Sequence, residues 1–167
     1  MRALLIAMIF FAGVAVLNCQ LESGTYAIRS ANDEGTWDMC GAATCELIDT
    51  DIFTYTEYRP DIPPQRFVIT ALENGFYTII AWNFAVQARE SDVPAETLFL
   101  SREQPDATNV NQQFAIVARN GGTYMIKPRG LNGLALRAPA AGELQQIIAV
   151  DKDCTALDQR FKFVPIN

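Results

Sequence analysis

Three tripeptides, Gln65-Arg66-Phe67, Gln112-Gln113-Phe114 and Gln159-Arg160-Phe161, follow one another at an even interval of 47 residues. Each opens an apolar run. A second motif interleaves with them: Gly24-Thr25-Tyr26-Ala27-Ile28, Gly75-Phe76-Tyr77-Thr78-Ile79 and Gly122-Thr123-Tyr124-Met125-Ile126. Self-similarity at such a period marks supersecondary units that bury their apolar faces only against one another. Function is therefore to be sought where the units differ.

Within each unit the apolar residues alternate with polar ones, the pattern of a half-buried strand. In unit one, strands are predicted over Gly24–Arg29, Thr36–Met39, Glu46–Tyr55 and from Phe67, with Tyr58-Arg59-Pro60-Asp61-Ile62-Pro63-Pro64 as a proline-rich approach to the last. Unit two offers Phe76–Ala81, joined to its predecessor through the hairpin signal Asn74-Gly75, then Phe84–Arg89 and Thr97–Ser101. Unit three fills the same slots with Thr123–Lys127, Gly133–Ala138, Gln145–Val150 and Phe161–Pro165. Helical spacing is not sustained anywhere after the N-terminal leader. Twelve short strands without a linker or a shift in composition predict one all-β domain.

Residues 1–19 stand apart. Arg2 precedes the uncharged apolar run Ala3–Leu17, which suits a secretory signal and falls short of the roughly 20 residues that span a bilayer. Cleavage is expected between residues 15 and 19, leaving a domain over 20–167. The destination is then extracellular, with no membrane attachment of the mature chain. The formal net charge of −6 disfavours nucleic acid and anionic lipid as partners. Histidine is absent, which removes the commonest general base and zinc ligand and makes a Ser-His-Asp enzyme impossible. No enzyme activity, cofactor or metal is expected, and the chain is expected to be a monomer.

Four cysteines in a secreted chain suggest disulfides, and three pairings are open. The preferred scheme joins Cys40 to Cys45 and, if Cys19 survives processing, Cys19 to Cys154, pairing near neighbours and tying the two ends together. Loop entropy would assign about 2 kcal/mol to the short bridge and about 5 kcal/mol to the long one.

Gln-x-aromatic at the start of each fourth strand, alternating with Gly-x-Tyr-x-Ile, resembles the β-trefoil, in which three four-strand units are arranged with pseudo-threefold symmetry. The Gln-x-Phe residues are similar to the Gln-x-Trp signature of ricin B-type lectins. The Gly-Thr-Tyr-x-Ile opening, Leu98-Phe99-Leu100 and the closing Gln-x-Phe-x-Phe look most like fungal secreted trefoil (Kunitz-like) protease inhibitors. That resemblance implies a binding protein whose partner is an extracellular protease, blocked at its active site by an exposed loop. The stapled segment Cys40–Cys45 presents Ala42, Ala43 and Thr44, small enough for an elastase-like or subtilisin-like pocket. Arg59 before Pro60 would suit a trypsin-like one; Arg102 and Arg129 are weaker basic candidates.

The alternative implied by the lectin resemblance is a glycan site. It needs an acceptor Asp, an aromatic platform and an Asn ahead of the tripeptide. Trp37 and Asp38 supply the first two in unit one, and Asn111 the third in unit two, where Gln87 stands in the Asp position. Unit three has Arg137 and Asp158 there. The three Gln side chains themselves are expected to bond backbone, and the three Phe rings to fill the core.

Overall fold

The computed structural model describes residues 20–32, 35–39, 52–88, 96–100, 104–139 and 145–167. Unit one contributes β1 (Gly24–Ser30), β2 (Thr36–Asp38), β3 (Phe53–Tyr55) and β4 (Phe67–Ala71). Unit two contributes β5 (Tyr77–Ala81), β6 (Phe84–Ala88), β7 (Glu96–Leu100) and β8 (Phe114–Arg119). Unit three contributes β9 (Thr123–Pro128), β10 (Leu134–Arg137), β11 (Gln145–Gln146), β12 (Ile148–Asp151) and β13 (Phe161–Pro165). The only helical segments among the described residues are three-residue 3-10 turns, two of them ending on Gln65 and Gln112.

Six strands close into a ring. β1 pairs with β4, β4 with β5, β5 with β8, β8 with β9, β9 with β13, and β13 with β1, all antiparallel. Closure leaves no edge strand in the barrel. The other strands form the hairpins β2–β3, β6–β7 and β10–β12. A six-strand barrel carrying one hairpin per unit is the β-trefoil, as the family resemblance implied.

The expected twelve slots hold thirteen strand segments, because unit three's third strand breaks at Ile147. That residue is fully buried, and its N–H leaves the ladder to bond Ile52 O at 2.8 Å. On one side of the break Gln145 and Gln146 pair with Thr54 and Phe53 of unit one; on the other Ile148 pairs with Thr97 of unit two. One strand thus joins the hairpins of both other units. A bulge residue re-aims a strand in this way.

Alternation explains the barrel wall. Phe67 and Ile69 point inward and are buried, whereas Val68 and Thr70 are exposed. Phe67, Phe114 and Phe161 are each fully buried, and Trp37 meets Phe67 and Phe161 edge-to-face at centroid distances of 5.8 and 5.6 Å. Such edge contacts add to area burial in fixing one packing arrangement. At the Asn74-Gly75 turn Gly75 has φ +81°, and Leu72 N–H bonds Phe76 O at 2.8 Å. The next hairpin turns on Trp82 and Asn83, at φ +48° and +69°, a conformation the residue types did not announce.

Candidate functional site

The three Gln side chains do one job. Gln65, Gln112 and Gln159 are at most 4% exposed. Each Oε1 accepts the backbone N–H six residues upstream, from Arg59 at 2.7 Å, Asp106 at 2.8 Å and Asp153 at 2.9 Å. Each Nε2 then donates inward. Gln65 bonds Glu57 O at 2.8 Å and Asp38 Oδ2 at 3.1 Å; Gln112 bonds Gln87 Oε1 at 3.1 Å; Gln159 bonds Asp151 O at 2.8 Å. A buried amide left unpaired would cost about 1–3 kcal/mol, so each Gln fixes the loop between the third and fourth strands of its unit. The expectation that these residues serve the scaffold is met in all three units.

The loops so fixed differ in what stands at the braced position. In units two and three it is an Asp that turns back on its own chain. Asp106 Oδ1 accepts from Thr108 N at 2.8 Å and Thr108 Oγ1 at 2.7 Å, and Asp153 repeats both bonds with Thr155 at the same distances. These hydrogen bonds, first the hydroxyl and then the backbone N–H, hold both carboxyls below the usual Asp value. Unit one puts Arg59 in that position and Asp61 where the Thr would be. The backbone turn survives, with Ile62 N–H bonded to Arg59 O at 3.2 Å, equivalent to Asn109 N–H on Asp106 O at 3.1 Å. Stiffness here comes from Pro60, Pro63 and Pro64, whose rings fix φ. The Arg59 side chain is left exposed, and beside it Tyr58 lies under the Arg29 guanidinium, 5.0 Å from carbon to ring centroid.

The residues expected to form a glycan site are not brought together. Trp37 is fully buried between Phe67 and Phe161, so its ring has no free face for a sugar. Asp38 is 4% exposed and receives the Gln65 amide. Asn111 packs on unit three, where a Cβ on Gly130 would lie 1.9 Å from its Oδ1, and its N–H bonds Asn109 Oδ1 at 3.0 Å. The first two residues therefore build the interior of unit one, and the third packs against a different unit.

Ala42, Ala43 and Thr44 lie outside the described residues, as do Cys19, Cys40, Cys45 and Arg102. Cys154 is an exposed free thiol with Arg119 Nη2 3.9 Å from Sγ, and its expected partner Cys19 lies outside the described residues. Among the described residues, no group of three or more Cys, Asp or Glu side chains is arranged to hold a metal ion. Two features escaped the sequence reading. One is the pairing of Asp38 with Gln65; the other is a basic cleft around Arg129 that involves Lys127 and Lys152. The clue to the second lay in the repeat itself, where Gln113 replaces the Arg found at positions 66 and 160.

No protein-family description and no curated protein matches the chain. Solved structures do. The designed threefold-symmetric protein ThreeFoil superposes with a TM-score of 0.71 at 18% identity, covering 86% of this chain and 99% of its own. A proteinase inhibitor from Coprinopsis cinerea gives 0.66 at 15% identity, covering 87% and 99%. The Macrolepiota procera ricin B-like lectin, solved with lactose, gives 0.67 at 13% identity, covering 88% and 99%. Similarity at this level of identity concerns architecture alone, and it agrees with the strand pairing: the chain folds as a β-trefoil.

Proposed function

We propose that the chain is a secreted, non-catalytic protease inhibitor that presents the loop between β3 and β4, with Arg59 entering the primary pocket of a trypsin-like enzyme. The observation that carries this reading is the contrast at the braced position. Gln65 holds the backbone leading into Arg59, at Glu57 O and Arg59 N–H, and Ile62 N–H on Arg59 O closes the turn that follows, while the Arg59 side chain takes no part in that turn. Preorganisation of this kind reduces the entropy lost on docking. Pro60, next in the chain, lacks the N–H of an ordinary leaving-side residue and resists cleavage. The likeness to the Coprinopsis cinerea inhibitor agrees with the reading. The Cys40–Cys45 segment remains a second presenting loop under the same proposal, suited to elastase or subtilisin through Ala42, Ala43 and Thr44.

Residual trypsin activity on a chromogenic substrate, measured against increasing protein, tests the reading. Stoichiometric inhibition is expected, weakened about a hundredfold or more by Arg59→Ala, the scale of an interfacial hot spot. Inhibition of elastase or subtilisin but not trypsin would transfer the role to the Cys40–Cys45 segment. Absence of inhibition across trypsin, elastase, subtilisin and papain at micromolar protein would sink the proposal.

A carbohydrate-binding role is the second reading, favoured by the likeness to the lactose-bound lectin. Saturable binding on a glycan array that the free sugar competes away would establish it. An array without hits would remove it.

A further inference from the structure

Lys127, Arg129 and Lys152 share a cleft of about 370 Å³ with Phe76, Leu131 and Leu134, and no acidic side chain lines it. In a chain of net charge −6 this is a local reversal of sign. The repeat shows that the reversal belongs to unit three. Lys127 follows the Gly-x-Tyr-x-Ile motif, as Arg29 and Ile80 do; Lys152 stands seven residues ahead of its Gln, as Tyr58 and Pro105 do. In unit one these two positions fill each other, Arg29 stacking on Tyr58. Unit two puts the apolar Ile80 and Pro105 there. Unit three alone sets two ammonium groups around an open space, an arrangement that repels itself unless an anion lies between.

The third cation is held in place. Arg129 donates through Nη1 to Gln113 Oε1 and through its backbone N–H to Gln113 O at 2.8 Å, and its guanidinium lies 4.7 Å from the Phe76 ring centroid. Gln113 is itself buried, with Asn74 Nδ2 donating to its Oε1 at 3.2 Å and its own amide bonded to Ala107 O. Positions 66 and 160 carry Arg at this point of the tripeptide, so the Gln of unit two is the residue that anchors the guanidinium of unit three. A guanidinium has five donors in a planar fork matched to oxyanions, and one spent on Gln113 leaves the others available.

We propose that this cleft binds a small oxyanion, a phosphate or sulfate group on a compact carrier whose body rests on Phe76, Leu131 and Leu134. Its volume falls in the range of small-molecule pockets and suits a body the size of one sugar ring. The site lies apart from the Arg59 loop and does not depend on the inhibitor reading.

Calorimetric titration with inorganic phosphate, glucose 6-phosphate, glucose 6-sulfate and neutral glucose tests the proposal. Glucose 6-phosphate or glucose 6-sulfate is expected to bind with a Kd on the order of 0.1–1 mM, and glucose not to bind measurably. Affinity should fall about tenfold when salt is raised from about 50 to about 500 mM, and at least about tenfold in Lys127→Ala/Lys152→Ala. Amide chemical shifts of Gly130 and Gly133 should move with the titration. Equal affinity for inorganic phosphate would support the site with the bare anion as its ligand; tighter binding of an ester would add the apolar floor. Both lysines lie at the surface, and Lys127→Gln/Lys152→Gln provides a second variant should the first fold poorly. No saturable binding of any anion up to about 10 mM, or unchanged affinity in a folded double variant, would overturn the proposal.

Discussion

The loop between β3 and β4 and its two counterparts, before β8 and before β13, share one backbone brace and use it differently. Around Asp106 and Asp153 the side chain at the braced position closes its own turn, so those loops are complete in themselves. Around Arg59 the same backbone is held by Gln65 and prolines, and the side chain faces solvent. Symmetry can thus supply a rigid platform three times over while one departure from it supplies the group presented. Threefold sequence agreement marks what the fold needs; disagreement within a slot marks where a partner can be met.

The strongest way to challenge the shared part of this comparison is to remove its floor. Phe161→Ala empties a fully buried site against Trp37 and should cost about 3–5 kcal/mol, lowering Tm by roughly 10 °C or more in thermal unfolding followed by circular dichroism. A loss under 1 kcal/mol would mean that the three rings do not act as one core.

Removing the brace comes next. Gln65→Ala and Gln159→Ala each strand buried backbone partners and should each cost about 1–3 kcal/mol. The two differ in function: only Gln65→Ala should weaken trypsin inhibition, by about tenfold, through loosening of the Arg59 loop. Equal inhibition by both variants would show that the brace of unit one serves the scaffold alone.

How far the sequence foretold these loops follows from the range of the forces involved. Strand positions and the Asn74-Gly75 turn are written in local alternation and turn chemistry, and most were legible to within a residue or two; the exceptions are the third strand of unit three, which breaks at Ile147, and that of unit one, expected over Glu46–Tyr55 and found at Phe53–Tyr55, with residues 46–51 outside the described ones. The scaffold role of Gln65 was legible too, since one polar residue at the start of three buried strands has to find backbone. The partner of its Nε2 was not: Asp38 lies 27 residues away, and the same acid beside Trp37 reads equally well as a sugar acceptor until the fold buries both. Likewise Lys127 and Lys152 belong to a strand and a loop 25 positions apart, and only the β10–β12 hairpin, packed on β9, brings them to one cleft. Strand content is a local property, whereas a site is made by the pairing of distant segments.

A loop graft sharpens the comparison directly. Arg59→Asp/Asp61→Thr recreates in unit one the Asp-x-Thr arrangement of its siblings. Position 61 retains a backbone N–H, so the new carboxylate has both donors that Asp106 and Asp153 use. The variant should fold with stability within about 1 kcal/mol of the parent, measured by urea denaturation, because side chain-to-backbone bonds replace nothing buried. Trypsin inhibition should disappear. Retained inhibition would place the presenting group elsewhere on the surface.

The smallest effect concerns the two acidic turns and is read by pH. Both carboxyls titrate below the ordinary Asp value of 3.8, because the Thr108 and Thr155 hydroxyls and N–H groups favour the charged form in the folded chain. A depressed folded value means that their contribution is fully present above the unfolded value, near pH 4, and is lost as pH falls through the lower folded values. Urea midpoints measured from pH 6 downward should therefore decline below about pH 4. In Asp106→Asn/Asp153→Asn that decline should be shallower, since an amide oxygen still accepts the turn bonds but no longer titrates. Unit one supplies the internal control. Arg59 brings no carboxyl to the braced position, so Arg59→Ala should leave the acid limb of the curve unchanged, and a shift in that limb would show that the loop of unit one is coupled to the acidic turns rather than independent of them.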